Sequence, residues 1–275
     1  MAVPGRTTAK FTFAVVGHNE APLLANALDQ ATEAAQSGEP VWFVDSASTD
    51  DSAAIAAALE VEVVDAPLGK GRAVARAIDL CQTEYICLLD ADIESSTTNI
   101  PGALRAAVET TRADMVVGEF VEPARRIRTT RDGLYRPLVE TFFPEARDYC
   151  ASTPLSGFRV VSLERRPGRL PPGFGVEAHL NVAFAAAGRS MAVADLGEYR
   201  GPIRPSRSIS RDVAQAILDL AVEHGRLSLA ARGPWDAWAA DVVDTIATRP
   251  EQGPLDEFRQ RLEAVVATRP EPGSR

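Results

Sequence analysis

Two carboxylates set the chemistry this chain can do. Asp90 and Asp92 flank Ala91 directly after the apolar run Tyr85–Leu89. At a strand exit, side chains one residue apart can both reach one hard cation or its waters. Mg²⁺ and Mn²⁺ prefer oxygen ligands and are commonly held by one or two carboxylates plus substrate phosphates. A solvated turn whose Asp residues cap the next segment is the plainer alternative.

Lys70 lies between Gly69 and Gly71, ahead of a helical pattern. Glycine on both sides lets a backbone come close to a ligand, and a helix N-terminus favours an anion. Lys70 then supplies a point charge for a diphosphate. The spacing is not that of a Walker A loop. Two further polar clusters, Gly17-His18-Asn19-Glu20 and Asp45-Ser46, each follow an apolar run. Glu20 and nearby backbone groups can contact a base or ribose, and Asp45 can accept from a base N–H; alternatively, Asn19 or Glu20 caps the following helix.

Farther on, Gly173-Phe174-Gly175 precedes Val176, Glu177, His179 and Asn181. Glu177 and Asn181 share a helix face at i, i+4, away from Val176 and Leu180. Glu177, just after a flexible turn, is the better site candidate; His179 lies nearer the apolar face and is read as packed. Arg125, Arg126, Arg128 and Arg131 form one basic stretch, and Arg200, Arg204, Arg207 and Arg211 another. They are either solvated loop charges or a basic rim around a diphosphate or an anionic acceptor.

The elements that must position these residues alternate regularly. Strands are predicted at 11–16, 41–44, 61–64, 85–89 and 115–119, with helices at 21–36, 50–59, 71–80 and 100–110. Nearly continuous apolar strands alternating with helices predict an α/β fold with a mainly parallel sheet covered on both faces. Such sheets bind ligands at the carboxyl ends of their strands, where the three polar clusters fall. After Phe120 the rhythm changes: a short helix at 134–143, a strand at 154–163, a helix at 176–187, a strand at 191–196, then helices at 210–223, 235–246 and 255–266. This divides the chain into a first half (1–120), a second half (121–208), a C-terminal helical extension (209–268) and a disordered tail (269–275).

Composition narrows the partners. The 275 residues suit one large α/β domain with a helical annex, and 45% apolar residues suffice for a core. The net charge of −9 makes nucleic acid a poor partner. No apolar run approaches the roughly 20 residues needed to span a bilayer, and no secretory leader core is evident, so a cytoplasmic protein is expected. Cys81, Cys87 and Cys150 have no zinc-site spacing and read as reduced thiols.

Taken in order, VVGHNE, VDSASTDDS, the Gly-Lys-Gly turn, LLDADI, PLSGF and PPGFGVEAHL resemble the GT-A fold glycosyltransferases, and most of all the glucosyl-3-phosphoglycerate synthase group, over roughly residues 10 to 205. The resemblance implies a retaining transferase with no protein nucleophile. It implies Glu177 and Asp92 as catalytic residues, and Gly17, Asn19, Glu20, Asp45, Ser46, Lys70, Asp90 and Ala91 against a UDP- or GDP-linked sugar. Arg131, Ser156, Gly157 and Asn181 would face a small acceptor, and Asp90 and Asp92 would hold Mg²⁺ or Mn²⁺. Two features depart from the group: no His follows Leu196-Gly197, where the group has a metal ligand, and Thr129-Thr130-Arg131 replaces its Arg-x-Thr. Both argue for an acceptor other than phosphoglycerate, such as one from secondary metabolism. A homodimer is expected by analogy. The competing readings are an inverting transferase with Glu177 as general base, a sugar nucleotidyltransferase, and a catalytically silent binding protein.

Overall fold

All seven residues of β1 (Phe11–Gly17) are buried, as a central parallel strand requires. The computed structural model describes residues 9–121, 129–149, 152–164, 167–201, 207–250 and 255–271. Strand–helix alternation follows: α1 (Leu24–Ala34), β2 (Val41–Asp45), α2 (Ser52–Ala58), β3 (Glu62–Asp65), α3 (Lys70–Leu80) and β4 (Tyr85–Asp90). Then come β5 (Ser95–Ser96), α4 (Ile100–Thr111), β6 (Met115–Val121), α5 (Arg136–Phe142), β7 (Arg159–Ser162), α6 (Val176–Ala186) and β8 (Met191–Arg200). Helices α7 (Arg207–Glu223), α8 (Leu229–Ala247) and α9 (Asp256–Ala267) follow among the described residues.

The sheet order is β3-β2-β1-β4-β7-β6-β8-β5. Strands β3, β2, β1 and β4 run parallel, and their register pairs Gly17 with Asp45, Val16 with Asp90, and Asp45 with Asp65. The three polar clusters therefore end at one level. The arrangement is mixed α/β with a mostly parallel sheet.

Among the described residues, three apolar clusters hold it together. One packs α1 and α4 on one face of the sheet, and a second packs α3 and α6 on the other. The third joins α5, α6, α7, α8 and α9. Helix α6 serves two clusters at once, so eight of its eleven residues are buried, Glu177 and Asn181 included. A helix buried all round has no solvent face on which to display polar residues. The expectation that these two point away from the apolar surface is therefore corrected: both lie inside.

Other expectations shift as well. Strand β7 runs antiparallel to both β4 and β6. Only 159–162 of the strand expected at 154–163 is extended, because Pro154–Gly157 form the loop that delivers the chain to this reversed strand. A π-helical turn (Arg131–Tyr135) precedes α5. Helix α8 starts six residues before its expected start and carries Pro234 inside it. The two-residue β5 was too short to show a period. Cys81 and Cys87 are buried and not joined in a disulfide, and burial pushes the Cys87 thiol up. Cys150, Arg125, Arg126, Arg128 and Arg204, and the tail from 272 on, lie outside the described residues. No helix among the described residues is long and apolar enough to cross a membrane.

Candidate active site

Lys70 opens α3 beside the end of β4. Its ammonium lies 2.7 Å from Asp90 Oδ1 and 2.7 Å from Glu177 Oε1. One cation thus joins a strand end in the first half of the chain to a helix start in the second. Burial disfavours the charged ammonium, but the Asp90 and Glu177 carboxylates outweigh it and hold Lys70 well above its ordinary value of 10.5. Lys70 is therefore a fixed positive charge at neutral pH.

Glycines let the surrounding segments close on this cluster. Gly69 has φ +129°, a backbone region that side chains rarely adopt. A Cβ on Gly71 would lie 1.8 Å from the Pro171 carbonyl oxygen. The Gly71 N–H donates to Gly173 O at 3.1 Å and the Arg72 N–H to Pro172 O at 3.2 Å. The anion cradle expected at this helix N-terminus is thereby corrected: two of its first N–H groups are occupied by the 171–173 turn, leaving Lys70 as the group that can meet a negative charge.

Asp90 is backed by Gly157, and Arg159 lies directly beneath. Arg159 is 1% exposed. It donates to Ser156 O at 2.5 Å, Asn181 Oδ1 at 3.2 Å and Glu177 O at 3.4 Å. Asn181 in turn donates to Pro154 O and Tyr135 Oη. Asn181 thus supports the site from behind, its amide engaged by interior groups. Ser156 is buried, and its hydroxyl accepts from the Phe158 N–H. The sequence reading missed Arg159; a charged residue inside the apolar run Phe158–Val161 was the available signal.

Asp92 lies two residues beyond Asp90, and the end of β8 comes alongside it. Glu94 N–H donates to Arg200 O at 3.0 Å, and a Cβ on Gly201 would sit 2.9 Å from Asp92 O. The chain after Leu196-Gly197 therefore does reach the Asp pair, but with Gly201 where a side chain could approach. Among the described residues, no group of three or more His, Cys, Asp or Glu is gathered to hold a metal. The carboxylates of Asp90 and Asp92 are hard oxygen donors of the kind Mg²⁺ and Mn²⁺ take, with their remaining positions left to substrate oxygens or water.

The rim toward β1 and β2 is knitted to itself. Ser46 Oγ accepts from the Gly69 N–H at 2.9 Å, fixing the turn before Lys70. Asp45 Oδ1 accepts from the Ser48 N–H at 2.8 Å. Asn19, at φ 57°, accepts from the Thr49 N–H on Oδ1, and its own N–H donates to Ser48 Oγ. Glu20 N–H donates to Ser52 Oγ. His18 stays exposed, its Nδ1 2.9 Å from Ser46 O. Gly17 touches Ala91, where an added Cβ would lie 2.9 Å from the Ala91 Cβ. Gly17, Asn19, Glu20, Asp45, Ser46, Lys70, Asp90, Ala91, Asp92, Gly157 and Glu177 thus converge at one end of the sheet.

Arg131 stands apart. Its guanidinium is held by both carboxylate oxygens of Asp132, at 2.7 and 2.9 Å, and donates to Ser152 O. His179 is half-buried, and burial chiefly lowers its pKa, against the opposing pull of Glu223 and Asp219.

Residues 12–160 match the family described as Glycosyl transferase family 2. Among solved structures, a glucosyl-3-phosphoglycerate synthase from Mycobacterium tuberculosis, crystallised with Mn²⁺, UDP-glucose and phosphoglyceric acid, is 22% identical with a TM-score of 0.64. That match covers 78% of this chain and 80% of the other. The same synthase with Mn²⁺, UDP and phosphoglyceric acid gives 24% identity and a TM-score of 0.67 over 80% and 84%. A further mycobacterial protein gives 23% and 0.67 over 78% and 75%. At these identities the likeness is one of fold. Among curated protein sequences, none matches this chain.

Proposed function

This chain belongs to glycosyl transferase family 2 and is a glycosyltransferase, and from that premise we propose that it moves a sugar from a nucleoside-diphosphate sugar to a small acceptor, with retention. The observation that carries this reading is the Asp90–Lys70–Glu177 cluster at the carboxyl ends of the parallel strands. Asp92 and Asp90 would hold Mg²⁺ or Mn²⁺, which would supply positive charge to the leaving diphosphate. Lys70 would add a second positive charge there, already oriented. The Gly17–Glu20 and Asp45–Ser46 rim would take the nucleoside. UDP is the first nucleotide to test, since the M. tuberculosis synthase was crystallised with it.

Glu177 favours retention over inversion. A general base needs a carboxylate open to the acceptor hydroxyl. Glu177 is 5% exposed and has an oxygen on the Lys70 ammonium. It is better placed to orient Lys70 and the reacting sugar.

The test is a thermal-shift panel of UDP, GDP, ADP and TDP with their common sugars, each with Mg²⁺, Mn²⁺ or EDTA. A native-state ligand at 100 times its Kd adds about 2.7 kcal/mol of stability. A cation-dependent shift with one nucleotide supports the reading, and NMR of the anomeric proton in the product then decides retention. No shift with any nucleotide, in metal or chelator, removes the reading.

A further inference from the structure

The turn that precedes Glu177 is gripped from two sides. On one side its carbonyls take the first N–H groups of α3, as described above. On the other side stands Asp212, from the second turn of α7. Asp212 Oδ2 accepts from the Phe174 N–H at 2.8 Å. A Cβ on Gly173 would fall 2.0 Å from that same oxygen. One on Gly175 would fall 2.3 Å from the Asp212 carbonyl oxygen and 2.7 Å from Ala216 Cβ. Four glycines, at 69, 71, 173 and 175, therefore mark close approach of three segments rather than looseness. Glu177 follows two residues after the gripped turn, so its carboxylate meets Lys70 with little freedom.

We propose that Asp212 is a positioning residue for sugar transfer: by clamping the Gly173–Gly175 turn against α3, it sets where Glu177 meets Lys70. The C-terminal helices are then a working part of the site rather than an annex. The inference rests on the glycosyltransfer reading. Its physical basis is the steep dependence of transfer rates on placement, where about 1 Å of displacement can lower turnover by about 100-fold.

The experiment uses the full chain, wild type against Asp212→Ala, Asp212→Asn and Gly173→Ala. The probe is UDP-glucose with Mn²⁺, water standing in for the acceptor and giving glucose and UDP. Hydrogen exchange at the Phe174 amide is followed in parallel. Asp212→Ala is expected to exchange faster at Phe174 and to lower kcat by about 10- to 100-fold with KM within about twofold. Asp212→Asn keeps an acceptor oxygen and should restore both. Gly173→Ala attacks the same contact from the other side and should repeat the kcat loss, which covers the case of an Asp212→Ala chain that does not fold. Wild-type kcat in a folded Asp212→Ala, or unchanged exchange at Phe174, would overturn the inference alone. Wild-type protein that neither binds nor hydrolyses any nucleotide sugar would overturn the glycosyltransfer reading beneath it.

Discussion

Gly157 and Asp90 meet with no space between them: a methyl group on Gly157 would lie 2.1 Å from one carboxylate oxygen and 2.3 Å from the other. Gly157→Ala should push Asp90 off Lys70. Cation-dependent UDP binding, measured by titration calorimetry, should weaken by at least about tenfold, roughly 1.4 kcal/mol, with the circular dichroism spectrum unchanged. Wild-type affinity in Gly157→Ala would show that Asp90 takes no part in binding.

Asp92→Ala separates the metal from the fold. Asp92 is half-exposed, and its loss should lower urea stability by no more than about 1 kcal/mol. The stabilisation by UDP in Mn²⁺ should fall to the level seen in EDTA. A retained metal-dependent shift would move the metal away from this residue.

Removing Lys70 leaves two carboxylates facing each other. Breaking a buried pair costs about 3–5 kcal/mol; with 19% of the Lys70 side chain exposed, Lys70→Met should lose about 2 kcal/mol. The sign with pH follows from a raised lysine. Its contribution is complete below the ordinary value of 10.5 and fades only as pH rises through the higher folded value. The urea stability gap between wild type and Lys70→Met should be flat from neutral pH to about pH 10 and shrink above it. A gap that shrinks between pH 7 and 9 would contradict the pairing.

Arg159→Met should be the most destabilising of these changes. It strips a charged donor from Ser156 O, Asn181 Oδ1 and Glu177 O in a fully buried setting, a loss of about 3 kcal/mol or more. Arg159→Lys cannot serve three separated acceptors and should fall between. Tryptophan fluorescence against urea reads both; a loss under about 1 kcal/mol in Arg159→Met would mean that the network is dispensable.

What the sequence made legible was what local pattern controls. Apolar runs of β1, β2 and β4 announced themselves, and so did the polar residues at their ends, because strand period and strand exit are local facts. The Asp pair and Lys70 were readable for the same reason. Contacts across distant segments were not. Ser46 turned out to hold the Gly69 N–H, and the 171–173 turn covered the N-terminus of α3. Each depends on which segment comes to lie nearby after folding. The direction of β7 was equally hidden, since a four-residue strand, Arg-Val-Val-Ser, reads alike in either orientation.

That reversed strand has a consequence for how such a protein can diversify. In a purely parallel sheet every site-facing loop leaves a carboxyl end, and altering one disturbs the helix that follows. Here the 152–158 segment arrives at the site from the opposite direction, entering β7 with Gly157 against Asp90. Length or sequence drift in that segment can reshape one wall without shifting the register of β1, β2 and β3. The chain can thus inherit one half unaltered while experimenting with the other.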